Sequence, residues 1–167
     1  MSTTGRDPGQ RWPTADLDPI RRLRVLADAT GAGLFVEGII ALPFEQVWAV
    51  ASDLEAELPS LLPDVRSLRI THVQGDRLAA DVRGYLGLRA RFAIVLRPGW
   101  CLMQSRFLLG GMAALPTSEG DETRFAFLGK LRIPGLRIVR PLLAPLERRV
   151  GRKILTRLEH RAQQRQQ

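Results

Sequence analysis

Cysteine is nearly missing from this chain: Cys101 is the only one in 167 residues, and histidine occurs twice, at His72 and His160. A lone thiol cannot form an internal disulfide, and this set is too small for an ordinary zinc site, so no metal and no other cofactor is expected. Aromatic residues are few, at 6%. Long apolar runs are lacking as well. The longest uncharged stretch, Phe107 to Ser118, is broken by Gly110, Gly111 and Pro116 and falls short of the roughly 20 apolar residues of a spanning helix. The opening MSTTGRDPGQRWPTADLDP has no basic-then-apolar secretory pattern, which makes a cytoplasmic location the expectation.

Negative charge is scarce only at one end. Residues 1–33 hold 5 basic and 4 acidic side chains, residues 34–134 hold 11 and 11, and residues 135–167 hold 9 and 2. The body is neutral, and nearly all of the net +8 belongs to the closing segment. That segment has no interleaved aromatics to stack on bases, so sequence-specific nucleic-acid recognition is not supported.

What is present is a periodic pattern of a length suited to one domain, which buries roughly 70% of its unfolded surface. Asp18-Pro19 reads as an N-cap and first helical residue, with Ile20, Leu23 and Ala27 on one face and Gly31 as the stop. LFVEGIIAL, from Leu34, reads as a strand ending at Pro43. Phe44, Val47, Trp48 and Ala51 then follow helical spacing, and a second short helix runs from Asp53 to about Leu62 with Pro59 bending it. Six strand-like segments follow: VRSLRITHV, RLAADVRGY, LRARFAIVL, WCLMQSRFLL, MAALPTS and TRFAFLGKLRI. The short turns between them, including Arg97-Pro98-Gly99 and Gly110-Gly111, predict an antiparallel meander and seven strands in all. Alternation sets Phe92, Ile94 and Leu96 against Arg89 and Arg91, which predicts one apolar and one wet face. A helix from about Pro141 places Leu142, Leu143, Leu146, Val150, Ile154 and Leu158 in one sector to cover the apolar face. About 20 residues would reach roughly 30 Å.

This order resembles the helix-grip fold of the START-like (SRPBCC) superfamily, the polyketide cyclase, Bet v 1 and lipid-transfer group. Its most specific residues are IIALPFEQVWAVASDLEAELPSLLPDV, Ile39 to Val65: a strand ending at a proline, a helix with Val-Trp, a Ser-Asp pair and a second helix before a proline. RIPG and the long amphipathic helix after it agree. The expected fold class is therefore α+β, a seven-stranded antiparallel curved sheet around a long C-terminal helix. The expected organisation is an N-terminal extension over 1–33, a ligand-binding domain over 34–163 and a disordered tail over 164–167. The resemblance implies an apolar cavity for a lipid, polyketide, quinone or other hydrophobic molecule, held by a carrier or sensor. A polyketide cyclase or aromatase, and a quinone-binding Coq10-like protein acting at a membrane or the ribosome, are the alternatives. Fold alone does not choose among them.

The cavity is expected among Val36, Ile40, Ala80, Val82, Phe92, Ile94, Met103, Ser105, Phe107, Met112, Ala114, Phe125 and Phe127 of the sheet, with Leu146, Val150, Ile154 and Arg157 of the helix. Gly38, Ala80, Gly84, Ala114 and Gly129 would make its room. Ser105 either orients a ligand or bonds to backbone, the commoner use of a buried serine. His72 lacks an orienting carboxylate at recognisable spacing, so ordinary solvation at a strand end is preferred to a general-base role, and no catalytic residue is assigned. Cys101 lacks an activating neighbour and reads as a buried, inert thiol. Arg157 lies in the apolar sector, where it would either meet an anionic headgroup at the cavity mouth or snorkel to water. Arg148, Arg149, Arg152 and Lys153 form a basic face, either solvated or offered to an anionic membrane or RNA.

Overall fold

A computed structural model describes residues 17–31, 33–131 and 140–165, with backbone alone at 86 and 140–148. Helix α1 (Pro19–Thr30) is followed by β1 (Leu34–Ile40), α2 (Phe44–Ala51) and the single-turn α3 (Leu58–Leu61). Strands β2 (Val65–Gln74), β3 (Arg77–Gly84), β4 (Arg89–Arg97), β5 (Trp100–Gln104), β6 (Leu108–Pro116) and β7 (Thr123–Leu131) then lead to α4 (Arg140–Gln164). The seven strands form one antiparallel sheet in the order β1-β7-β6-β5-β4-β3-β2. The first strand thus closes against the last, Val36 opposite Phe127 and Gly38 opposite Phe125.

Local chemistry explains the ends of the elements. The Asp18 carboxylate accepts from the Arg21 N–H at 2.8 Å, and Gly31 ends α1 at φ 60, where a side chain would be strained. Gly99 makes the β4–β5 turn at φ 70, and a Cβ there would sit 2.6 Å from the Ala114 carbonyl oxygen, so glycine is required twice over.

The concave face carries the core, with Phe125, Ile94, Met112 and Ile40 sealed under α2, α3 and Leu158 of α4. Each such side chain contributes roughly 1.5–3 kcal/mol by leaving water. Helix α4 comes close to β1 because glycine stands at both contacts: a Cβ on Gly151 would sit 2.9 Å from that of Val36, and one on Gly38 would sit 2.8 Å from the Leu155 side chain. Gly38 therefore makes room for the helix, where the sequence suggests room for a ligand.

The convex face departs from the expected wet surface. Ile20, Leu23 and Ala27 of α1 lie buried on Leu109, Ala113, Ala126 and Leu128 of β6 and β7. Arg22 stacks over Trp100 on one flank of α1 and Arg24 over Phe35 on the other. Strands β2 to β4 keep a solvated outer face, with Asp81 and Arg91 paired at 3.3 Å. The alternation is correct, but a second layer turns part of the outer face into core.

Gly110 and Gly111 are also corrected. They lie inside β6, opposite Met103 and Leu102, and the β5–β6 turn falls at Ser105 to Phe107. Each glycine clears space on its own side of the sheet, Gly110 for the Met103 methyl and Gly111 for Leu23 of α1. Two adjacent glycines read as a turn when the layers above and below are not known. At the other end, α4 continues through Gln164 and Arg165 still pairs with Asp53, past the expected limit at 163.

Glu37 locks the layers together. It accepts from Arg124 at 2.8 Å across the sheet and pairs with Arg24 of α1. Burial pushes its carboxyl up, but the hydrogen bonds and charges of Arg124 and Arg24 outweigh burial and hold it below the usual carboxylate range. A depressed folded pKa supplies stability above the unfolded pKa and loses it as pH falls through the folded one. Denaturant melts at about pH 7 and about pH 3 should show Glu37→Gln less stable than the parent at the higher pH, with the deficit smaller at the lower. An equal deficit at both would remove the carboxylate from the account.

Candidate ligand cavity

A cavity of about 130 Å³ lies on the concave side, at the end of the sheet where β2, β4 and β6 begin and β3, β5 and β7 finish. Leu58 and Leu62 of the α3 segment and Val65 of β2 form one wall. Val82, Phe92, Met103, Gly110 and Phe127 form the sheet wall, and Leu108, Gly129 and Lys130 the edge. Lys130 is the only titratable side chain among these described lining residues. No polar atom contributes surface to the space, and alternation along β7 sets the Lys130 side chain on the face of Leu128, away from Phe127.

Of the residues expected at a cavity, Val82, Phe92, Met103 and Phe127 are brought together on it. Ile40, Ala80, Ile94, Met112, Ala114, Phe125 and Ile154 lie in the closed core beyond, with Val36 and Val150 packed against it. The side chain of Leu146 lies outside the described residues. Ser105 takes the bland alternative: its hydroxyl accepts from the N–H groups of Phe107 and Leu108, at 3.3 and 3.0 Å, and shapes the turn. Phe107 is corrected from the cavity to the surface, 49% exposed at that turn. It stands outside because the strand that would have carried it inward has already ended.

Arg157 is corrected as well. It is exposed, and its guanidinium donates to the Leu61 carbonyl at 3.4 Å, on the outside of the α3 segment. His72, Asp81 and Tyr85 face solvent. Arg149, Arg152 and Lys153 are exposed on α4, while the Arg148 side chain lies outside the described residues. The sequence predicts the short helix before β2 but does not single out Leu58, Leu62, Val65, Leu108, Leu109 or Lys130 as cavity lining. Only the proline-bounded LPSLLP could have signalled that leucines gather near a sheet end.

The α3 wall is held by a charge cluster that the apolar pattern hides. Glu57, the N-cap position of α3, is buried and accepts two hydrogen bonds from Arg161 of α4, at 2.7 and 3.1 Å. Arg165 adds a contact to Glu57 at 3.4 Å, pairs with Asp53 and donates to the Ala49 carbonyl at 3.0 Å. The end of α4 therefore clamps the segment that forms one cavity wall.

Cys101, fully buried on β5, has its thiol pushed up to about 12 by burial away from water. Thiolate is the reactive form, so labelling by an exposed-thiol reagent should be slow and should rise with denaturant. Rapid stoichiometric labelling of the native protein would contradict this environment.

No known family profile matches the chain, and no functionally curated protein matches it in sequence. Solved structures do share its fold. A Thermus thermophilus protein is 22% identical with a TM-score of 0.56, over 80% of this chain and 99% of that one. The Zhui aromatase/cyclase of a Streptomyces species is 14% identical with a TM-score of 0.59, over 80% of this chain and 94% of that one. The di-domain ARO/CYC StfQ of the steffimycin pathway is 16% identical with a TM-score of 0.55, over 87% of this chain and 59% of that one. The chain shares with these structures the helix-grip architecture, a curved seven-stranded antiparallel sheet with a C-terminal helix.

Proposed function

We propose that the protein binds a hydrophobic small molecule, of lipid, polyketide or quinone character, in the cavity between α3 and the sheet, as a carrier or sensor. The observation that supports this most directly is the apolar wall of Leu58, Leu62, Val82, Phe92, Met103 and Phe127 around open space. Size refines the reading. About 130 Å³ accommodates roughly a benzene-sized group, whereas sites for larger ligands run to roughly 300–1,000 Å³. A longer ligand is admitted by outward movement of α3, the four-residue wall held by the Glu57–Arg161 clamp.

A cyclase reading draws support from the names of the Zhui and StfQ proteins, which share the architecture. It needs a group that moves protons at the reacting carbon. Among the described lining residues Lys130 alone titrates, and its ammonium is turned away from the space, so binding without turnover is the better reading.

Native mass spectrometry of the freshly purified protein is expected to show a copurified hydrophobic molecule, and the emptied protein is expected to enhance N-phenylnaphthylamine fluorescence. Val82→Phe, which fills the cavity from its half-buried strand position, should weaken the dye about tenfold or more at unchanged fold. A folded parent that takes up neither a cell-derived molecule nor the dye would overturn the proposal.

A further inference from the structure

The large apolar side chains left in water are not scattered. Five of the eight that are exposed among the described residues, Tyr85, Leu88, Phe107, Leu108 and Leu131, belong to the single end of the sheet where the cavity lies. Leu88 is 70% exposed and Tyr85 58%, both in the connection between β3 and β4. Phe107 tips the β5–β6 turn, with the Arg106 guanidinium 5.4 Å over its ring. Isolated exposed apolar groups are ordinary, but several gathered on one rim call for a partner.

The same rim is cationic. Arg66, Arg83, Arg89, Arg106 and Lys130 stand there, with Asp64 the described acid among them. Arg83 and Arg89 are direct cross-strand partners on β3 and β4, an arrangement that costs stability through like-charge repulsion. The opposite end of the sheet carries Glu119, Asp121 and Glu122 in the β6–β7 turn, against Arg77 and the paired Asp76 and Arg97. The neutral body of the sequence is therefore electrically polarised in the fold, with its positive end around the cavity.

We propose that this rim docks on an anionic lipid bilayer, with Tyr85, Leu88 and Phe107 entering the headgroup layer and the flanking arginines meeting lipid phosphates. Apolar tips set among cations match the chemistry of that interface, where hydrophobic burial and attraction to anionic lipid act together. Docking would place the cavity edge, Leu108 and Lys130, against the membrane, so that a water-insoluble ligand passes between bilayer and cavity. This last step rests on the binding function proposed above. The surface is distinct from the basic face of α4.

The test is cosedimentation of the full chain with vesicles of phosphatidylcholine alone or with about 30 mol% phosphatidylserine, at low and high salt. Binding is expected only with the anionic lipid and is expected to weaken steeply with salt. Replacing Arg83 and Arg89 together by serine should reduce it roughly 30-fold, and Leu88→Ser roughly tenfold. The Arg152→Ser, Lys153→Ser pair on α4 should stay within about threefold of the parent. Circular dichroism and thermal melts confirm that the exposed substitutions leave the fold intact. Failure of the parent to sediment, rim variants that bind like the parent, or loss of binding in the α4 pair would overturn docking by the rim. So would a parent dimer that the rim substitutions dissociate, because a second copy would then be the occupant. N-phenylnaphthylamine binding in vesicle-free buffer separates the two proposals: intact dye binding with no docking removes only the rim, and docking without dye binding removes only the cavity function.

Discussion

Arg161→Ala is expected to lower the stability of the protein by about 2–3 kcal/mol, and more than Glu57→Ala does. The asymmetry follows from exposure: the Glu57 side chain is 4% accessible and that of Arg161 39%. Removing the arginine strands a buried carboxylate with only Arg165, at 3.4 Å, to compensate it. Loss of one partner of a buried pair costs roughly 3–5 kcal/mol, and the remaining arginine together with the half-exposed position of Arg161 brings this down to about 2–3 kcal/mol. Removing Glu57 instead releases two half-exposed arginines to water, a change of about 1–2 kcal/mol. For a chain of this size, 1 kcal/mol moves the melting temperature by about 2–4 °C, so Arg161→Ala should melt about 5–10 °C lower. Losses below about 0.5 kcal/mol in both variants would mean that the pair behaves as a surface ion pair. The variant should also exchange bound dye faster than the parent, because Glu57 begins the α3 wall.

Leu23→Ala is expected to cost about 3 kcal/mol, within the usual range for emptying a leucine site in a core. Leu23 is fully buried and fills the space that Gly111 leaves above β6. A helix of 12 residues does not persist alone in water, so α1 depends on this contact together with Ile20, Ala27 and the Arg24–Glu37 pair. Two readouts separate the ways the loss can appear. If α1 unfolds with the rest, the denaturant midpoint falls; if it peels off first, its amides lose hydrogen-exchange protection while the midpoint of the sheet holds. The second case uncovers Leu109, Ala113 and Leu128 and should promote aggregation. A parent-like midpoint with parent-like protection of α1 would show that Leu23 is not what holds the helix.

These expectations separate features that local chemistry encodes from those that assembly creates. The Asp18 cap, the Gly31 stop, the Arg97-Pro98-Gly99 turn and the alternation of Phe92, Ile94, Arg89 and Arg91 are all legible because each involves neighbours in sequence. Gly110-Gly111 was misleading because its meaning lies in what sits above and below it, Leu23 and Met103. Phe107 was misplaced with it, since the true turn is fixed by the Ser105 hydroxyl. Four of the five residues of the sheet wall, Val82, Phe92, Met103 and Phe127, are readable from strand alternation. The short helix opposite is readable too, but not which of its leucines face the sheet, because one turn is too short for its periodicity to fix a face.

The sequence by itself determined the element order, the seven strands, the inward face of β4 and the amphipathic closing helix, because side-chain period and turn chemistry act over a few residues. Tertiary structure alone decided that α1 makes the convex face a second core, that Arg161 and Arg165 serve as a clamp, and that a neutral body is charged at its ends. Charges and apolar side chains far apart in sequence acquire a common sign or surface only when seven strands bring their ends together, and burial, pairing and field all depend on that three-dimensional proximity.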